Sequence, residues 1–177
     1  MVNAIKYIDP DTQIVLCAGA PDTPEIAKEM EDSVAEVKKD KLTITDVVFI
    51  IAPRINAAGR MKHGNHAVSL LTETDFNLAA EYAVDIDQYN TDRREADKRI
   101  TAEALIQIEE NHEIDRFTTV VYDENWHKGV IGIVASRLIE TYYRPTLVFT
   151  KSGDKLAASA RSVKGLDVYN ALEQCWM

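Results

Sequence analysis

At 177 residues, 46% apolar and 28% charged, the chain has the composition of an ordinary soluble globular protein, with material for one good core or two small ones. No apolar run approaches the roughly 20 residues that span a bilayer, Met1 is followed by no basic, apolar, cleavable leader, and Cys17 and Cys175 stand far apart as in a reducing compartment, so a cytoplasmic protein without membrane contact is expected. The net charge of −9 excludes a generic nucleic-acid binder, whose affinity comes from broad phosphate neutralisation, so any contact with a polyanion has to be local.

In chain order, Gln13 to Ala18 reads as a buried strand, followed by a Gly-Ala-Pro turn and a helix from Thr23 with Pro24 at its first position. One strand and one helix are too little to fold alone, because a lone strand leaves its backbone unpaired. The run Ala52-Pro53-Arg54-Ile55-Asn56-Ala57-Ala58-Gly59-Arg60-Met61 reads as a loop in which small residues let two guanidiniums and an amide approach a phosphate. From Arg54 to His66, with Lys62 and His63 between, there is no acid, whereas acids crowd residues 22 to 40 and 73 to 116. His63 and His66 are close enough in sequence for shared metal ligation to be considered.

His66 to Leu71 predicts a short helix, and Thr74-Asp75 caps a longer one reaching about Asn111. Its inward stripe runs Phe76, Ala79, Ala83, Ile86, then Asn90, Arg93, Asp97, then Ile100, Ala104, Ile108: apolar at both ends and polar between. Such a helix, about 50 Å long, is expected to dock its ends on two cores and cross solvent in the middle. Asp85 and Asp87 point about 200° apart on it and cannot share an ion.

From Phe117 the pattern becomes strand (Phe117 to Tyr122), helix (Gly129 to Tyr143), strand (Thr146 to Thr150) and strand (Leu156 to Ala160), with Asp167 capping a last helix. This predicts an α/β domain that is cut short. Trp126 and His127 sit between a strand end and a helix start, where exposed amides favour anions. Trp126 either stacks on an unpaired base or packs in the core, and His127 either contacts phosphate or satisfies its own loop. Ser159, Arg161 and Ser162 follow a strand of small residues, and Arg161 either holds phosphate or forms an internal salt bridge. Arg137 faces either a cleft or solvent.

The run 52–61, the run Glu124-Asn125-Trp126-His127-Lys128-Gly129-Val130-Ile131-Gly132-Ile133-Val134-Ala135-Ser136-Arg137, and Ala158-Ser159-Ala160-Arg161-Ser162 together resemble the RecJ single-strand-specific DNA exonucleases of the DHH phosphoesterase superfamily, from about Lys41 to Cys175. The resemblance implies an α/β fold in which residues 41–74 end a DHH domain, 75–112 form the connecting helix and 113–177 form a truncated DHH-associated substrate-binding domain. It implies that Arg54, Asn56, Arg60, His127, Ser159, Arg161 and Ser162 contact single-stranded DNA or its phosphates, with Trp126 a candidate for stacking. It assigns no catalytic residue or metal ligand to this chain, since the family's Asp-His-His signature is missing, and places Mn²⁺ or Mg²⁺ in the full-length family enzyme. Ala52 and Ala158 stand where the family usually has glycine. Residues 9–39 resemble instead a strand and helix of glycogen synthase-like glycosyltransferases, so that 1–40 is a segment of unassigned origin and the chain has the look of a chimera. The alternative is a non-catalytic or chimeric α/β unit with at most weak nucleotide or single-stranded DNA binding, and truncated sheet edges offer a route to self-association. The chain alone is expected to release no mononucleotides from 5′-phosphorylated single-stranded DNA with manganese or magnesium; processive release by purified protein overturns that expectation.

Overall fold

The computed structural model describes residues 3–9, 12–18 and 43–175. The chain divides into two compact units, residues 1–93 and 94–177. In the first, β1 (Asn3–Asp9) and β2 (Thr12–Ala18) pair antiparallel, with Asn3 opposite Ala18 and Asp9 opposite Thr12. The lone strand expected from the sequence is therefore corrected: β1 supplies the backbone partner that β2 needs. The helix expected from Thr23, and most of the synthase-like segment, lie outside the described residues.

A helical turn, Ile44–Asp46, opens on a reciprocal cap, in which Thr43 Oγ1 accepts from the Asp46 amide at 3.3 Å and Asp46 Oδ2 accepts from the Thr43 amide at 2.7 Å. A π-helical turn, Val47–Ile51, leads into α1 (Ala52–Met61), followed by α2 (Asn65–Thr72) and α3 (Phe76–Glu110). The arginine-bearing run is thus a helix and not a loop. Pro53 sits in the first turn, where a missing N–H costs nothing, and Ala57 and Ala58 are buried. Gly59 has open space around it, so no close approach depends on it.

Asp75 caps α3 as expected, its Oδ1 accepting from the amides of Asn77 at 2.8 Å and Leu78 at 3.0 Å. Ala79, Ala83 and Ile86 of α3 join Ala58, Ala67 and Leu70 in one core, with Ile55, Tyr82 and Tyr89 packed against it. The helix is continuous over 35 residues, but the inward stripe of its middle is not solvated at Asn90 and Asp97 as the sequence suggested. Asn90 and Asp97 are 8% and 2% exposed, and their oxygens are paired: Arg93 donates to Asn90 Oδ1 at 3.1 Å, and Asp97 Oδ1 and Oδ2 accept from Arg137. A polar stripe can be buried when its members satisfy one another.

In the second unit, β3 (Thr119–Tyr122) runs parallel to β4 (Thr146–Ser152), with α4 (Ile131–Tyr142) between them in sequence, and β5 (Lys155–Arg161) returns antiparallel through a turn in which Gly153 takes a positive φ of 62°. The sheet order is β3-β4-β5, α4 packs on β4 and β5, and α5 (Val168–Cys175) follows. The first strand starts two residues later than expected, and Phe117 lies outside it, 94% exposed. Gln107 of α3 closes the outer side of β3 at Tyr122, donating to its carbonyl and accepting from its amide, each at 3.0 Å.

Arg144 holds this unit together. Tyr143, in the left-handed region at φ 43°, ends α4 and turns the chain so that Arg144 is 7% exposed. Its guanidinium donates to Thr119 Oγ1 and to the carbonyls of Glu113, Ile114 and Arg116, and stacks 4.7 Å from the Tyr142 ring. Three carbonyls and a hydroxyl solvate the charge in place of a carboxylate. Arg144→Met keeps the volume but strands those acceptors. It is expected to lower the unfolding free energy by at least about 3 kcal/mol in urea titration, with Arg144→Lys recovering less than half, because an ammonium cannot span the same fork.

Candidate phosphate-binding site

β5 reads Lys-Leu-Ala-Ala-Ser-Ala-Arg, and its small residues leave room for Arg161 to reach α4. Arg161 Nε donates to Ser136 Oγ at 3.0 Å and Nη2 to the Gly132 carbonyl at 2.8 Å, while Nη1 donates to Ser159 Oγ at 3.2 Å and to the Ala160 carbonyl at 2.9 Å. Four of its five N–H donors are thereby committed, leaving one on Nη2. Every partner is neutral. The internal salt bridge weighed from the sequence does not form: among the described residues no carboxylate pairs with Arg161. A Cβ at Gly132 would lie 3.1 Å from Ser159 Oγ and 3.2 Å from Arg161 Nη2, so glycine is what lets β5 and α4 close around the guanidinium. Ser162 is committed elsewhere, its Oγ accepting from the Val168 amide at 3.0 Å to start α5 alongside Asp167.

His127 precedes α4 and is half-buried. Its Nδ1 accepts from the Gly129 amide at 3.1 Å, which puts the proton of the neutral ring on Nε2, and Nε2 has no protein partner among the described residues. Burial, and then the charge of Lys128, push its pKa below the ordinary histidine value of 6.5. The group at this position is a neutral donor at physiological pH.

Of the two readings of Trp126, the structure has the core-packed one. It is 3% exposed and its Nε1 donates to Glu103 Oε2 at 2.8 Å, so no ring face is open for a base. Arg54 is corrected as a free cation: Nε pairs with Asp87 Oδ1 at 2.9 Å and Nη1 donates to the Ile50 carbonyl at 3.0 Å. Asp87 is buried and Asp85 exposed, on opposite faces as the helical angle requires. Asn56 and Arg60 are exposed one turn apart on α1. These three belong to the first unit, and His127, Ser159, Arg161 and Ser162 to the second.

Arg137 meets neither expectation fully. It is half-exposed yet bidentate on buried Asp97, at 2.8 and 2.7 Å, and that hydrogen bond raises its pKa further. Gly132 and Ser136 were missed as seats for Arg161; their spacing of one helical turn was the available signal, but nothing local shows that a strand residue far along the chain will use it. His63 Nδ1 accepts from the Asn65 amide at 3.3 Å, and His66 packs edge-on against Tyr89, so the two are not brought to one ion. Among the described residues no group of three histidines, cysteines or carboxylates could hold a metal, and no helix of the described residues is long and apolar enough to cross a membrane.

Residues 115–175 match the DHHA1 domain, so the mixed sheet, α4 and the Arg161 seat define a DHH-associated α/β domain. The chain is related to the RecJ exonucleases. The single-stranded-DNA-specific exonuclease RecJ of Bacillus subtilis (strain 168) is 40% identical over 131 residues, which cover 73% of this chain and 16% of that protein. The crystal structure of RecJ in complex with Mg²⁺ from Thermus thermophilus superposes with a TM-score of 0.66 at 28% identity, covering 81% of this chain and 22% of the other. The chain spans 16% to 25% of the length of the first curated relatives. A 37-residue match, 51% identical and covering 21% of this chain and 10% of the other, is to the alpha-maltose-1-phosphate synthase of Mycolicibacterium smegmatis; it agrees in kind with the synthase-like segment read near the N-terminus.

The lowered pKa of His127 has a signed consequence. The fold releases this proton more readily than the unfolded chain, so its stabilisation is complete above pH 6.5 and fades as the pH falls below that value. An NMR titration is expected to give His127 a midpoint below 6.5; a midpoint at or above it contradicts the burial described.

Proposed function

We propose that this chain supplies the strand-holding part of a RecJ-like single-stranded-DNA exonuclease acting in the cytoplasm. In this reading residues 41–74 close a DHH domain, 75–112 connect, and 113–177 are the substrate-binding domain. The observation that carries it is the Arg161 guanidinium, fixed by four neutral acceptors and left without a counterion among the described residues. A preorganised cation of this kind gains most from a phosphate, and the remaining Nη2 hydrogen and the Ser159 hydroxyl are the donors that would meet it. His127 adds the Nε2–H of a neutral ring; in the first unit, taken by itself, Asn56 and Arg60 are exposed on α1 and are further candidates for a phosphate contact. Hydrolysis in this family draws on Mn²⁺ or Mg²⁺; the residues described offer no seat for either, and no hydrolytic step is assigned to them.

Because the chain carries a net charge of −9, affinity rests on these few contacts and is weak, with a shallow salt dependence set by the few phosphates neutralised. Fluorescence anisotropy with a labelled oligothymidylate is expected to show weaker binding for Arg161→Ala, with the slope of log affinity on log salt shallower by about one, whereas Lys155→Ala, at the far end of β5, leaves both unchanged. Equal affinity and slope for wild type and Arg161→Ala would remove Arg161 from the site.

A further inference from the structure

The segment between β3 and α4 is anchored at one residue from two sides. The Trp126 indole donates to Glu103 Oε2 at 2.8 Å, and the Trp126 carbonyl accepts from the fully buried Thr150 Oγ1 at 2.6 Å. Glu103 is itself fixed, because its other oxygen accepts from Arg99 at 2.9 Å. The next residue is His127, whose Nδ1 accepts from the Gly129 amide and whose carbonyl accepts from the amides of Val130 and Ile131 at the entrance to α4. We infer that Glu103 and Thr150 are positioning residues, acting through Trp126 to hold His127 as a neutral donor with its proton on Nε2. The inference rests on reading His127 as a phosphate contact for its purpose, but its geometry stands apart from the ligand.

The physical logic is pre-organisation. A histidine on a free loop exchanges between two tautomers and many rotamers, and a ligand that needs one of them must first select it. Clamping the preceding residue in the core restricts the backbone from 126 to 129, keeps the Gly129 amide on Nδ1, and so leaves a single donor directed away from that bond. The sequence leaves Trp126 between stacking and core packing; its buried position makes it the transmitter of a constraint from a helix and a strand to its neighbour.

The test uses the whole chain, ¹⁵N-labelled, with Trp126→Phe, Glu103→Ala, Glu103→Gln and the near-isosteric Thr150→Val. Wild type is expected to show the Nε2–H tautomer at His127 in its imidazole ¹⁵N shifts. Trp126→Phe, Glu103→Ala and Thr150→Val are each expected to move those shifts toward a mixture and to weaken oligothymidylate binding roughly threefold to tenfold, the effect of losing one hydrogen bond. Glu103→Gln, which keeps an acceptor, restores the tautomer, and Arg161→Ala weakens binding without touching it. If Trp126→Phe fails to fold by thermal melting, the Glu103 and Thr150 variants decide. A wild-type Nδ1–H tautomer, or unchanged shifts in the folded variants, overturns the inference. A wild type with the expected tautomer shifts but no DNA binding upholds the clamp and defeats the proposed function instead.

Discussion

The second unit depends on a cation buried without a counterion. Arg144 joins the loop after the long helix, the start of β3 and the approach to β4, and it does so by solvating itself with three carbonyls and one hydroxyl. Removing it would leave three carbonyls and the Thr119 hydroxyl without the donor that now joins them. The Thr119 and Thr146 ends of the parallel pair are fully buried beside it, and Thr146 Oγ1 donates to the Arg144 carbonyl, so the register of the sheet and the position of this guanidinium are one constraint.

The same solution recurs at Arg161, with a different outcome. There too a guanidinium is held by neutral oxygens, but it is only half-buried and one donor is left over. Arg54 and Arg137, by contrast, are matched by Asp87 and Asp97. Four arginines in an acidic chain thus sort by what surrounds them: one holds the sheet, two are neutralised by α3, and one is held by neutral oxygens with no carboxylate beside it among the described residues. Net charge sets the overall field of such a chain, while the local setting of each guanidinium decides what it can pair with.

Much of the fold was legible where the cause is local. Thr74-Asp75 announced α3, because a carboxylate in front of a helical stripe meets free amides, and Asp167 announced α5 in the same way. The alternation of apolar residues located β4 and β5 to within a residue or two. The misses share another cause. Ala52 to Met61 has the composition of a loop, with arginines, asparagine and a glycine outweighing the alanines, yet Pro53 and the buried Ala57 and Ala58 make it a helix. Strand β1 carries too little alternation to stand out before its partner is known. Asn90 and Asp97 were read as wet because their polar atoms had no visible partners; Arg93 is three residues away, but Arg137 is 40. At the site, Arg161 and Ser159 were visible as chemistry, while their seat on α4 was a fact of tertiary contact.

Gly132 ties together positions that the sequence sets far apart. With 3.1 Å to Ser159 Oγ and 3.2 Å to Arg161 Nη2, it has no room to gain even a methyl group while those two side chains stay as they are. Substitutions at 132, 159 and 161 therefore cannot contribute independently, since groups sharing one space do not add. A methyl group at 132 requires Ser159 or Arg161 to give way by a few tenths of an ångström, which shifts the hydrogen bonds that hold the guanidinium. The three positions form an epistatic unit: what a substitution at one of them costs depends on which side chains stand at the other two.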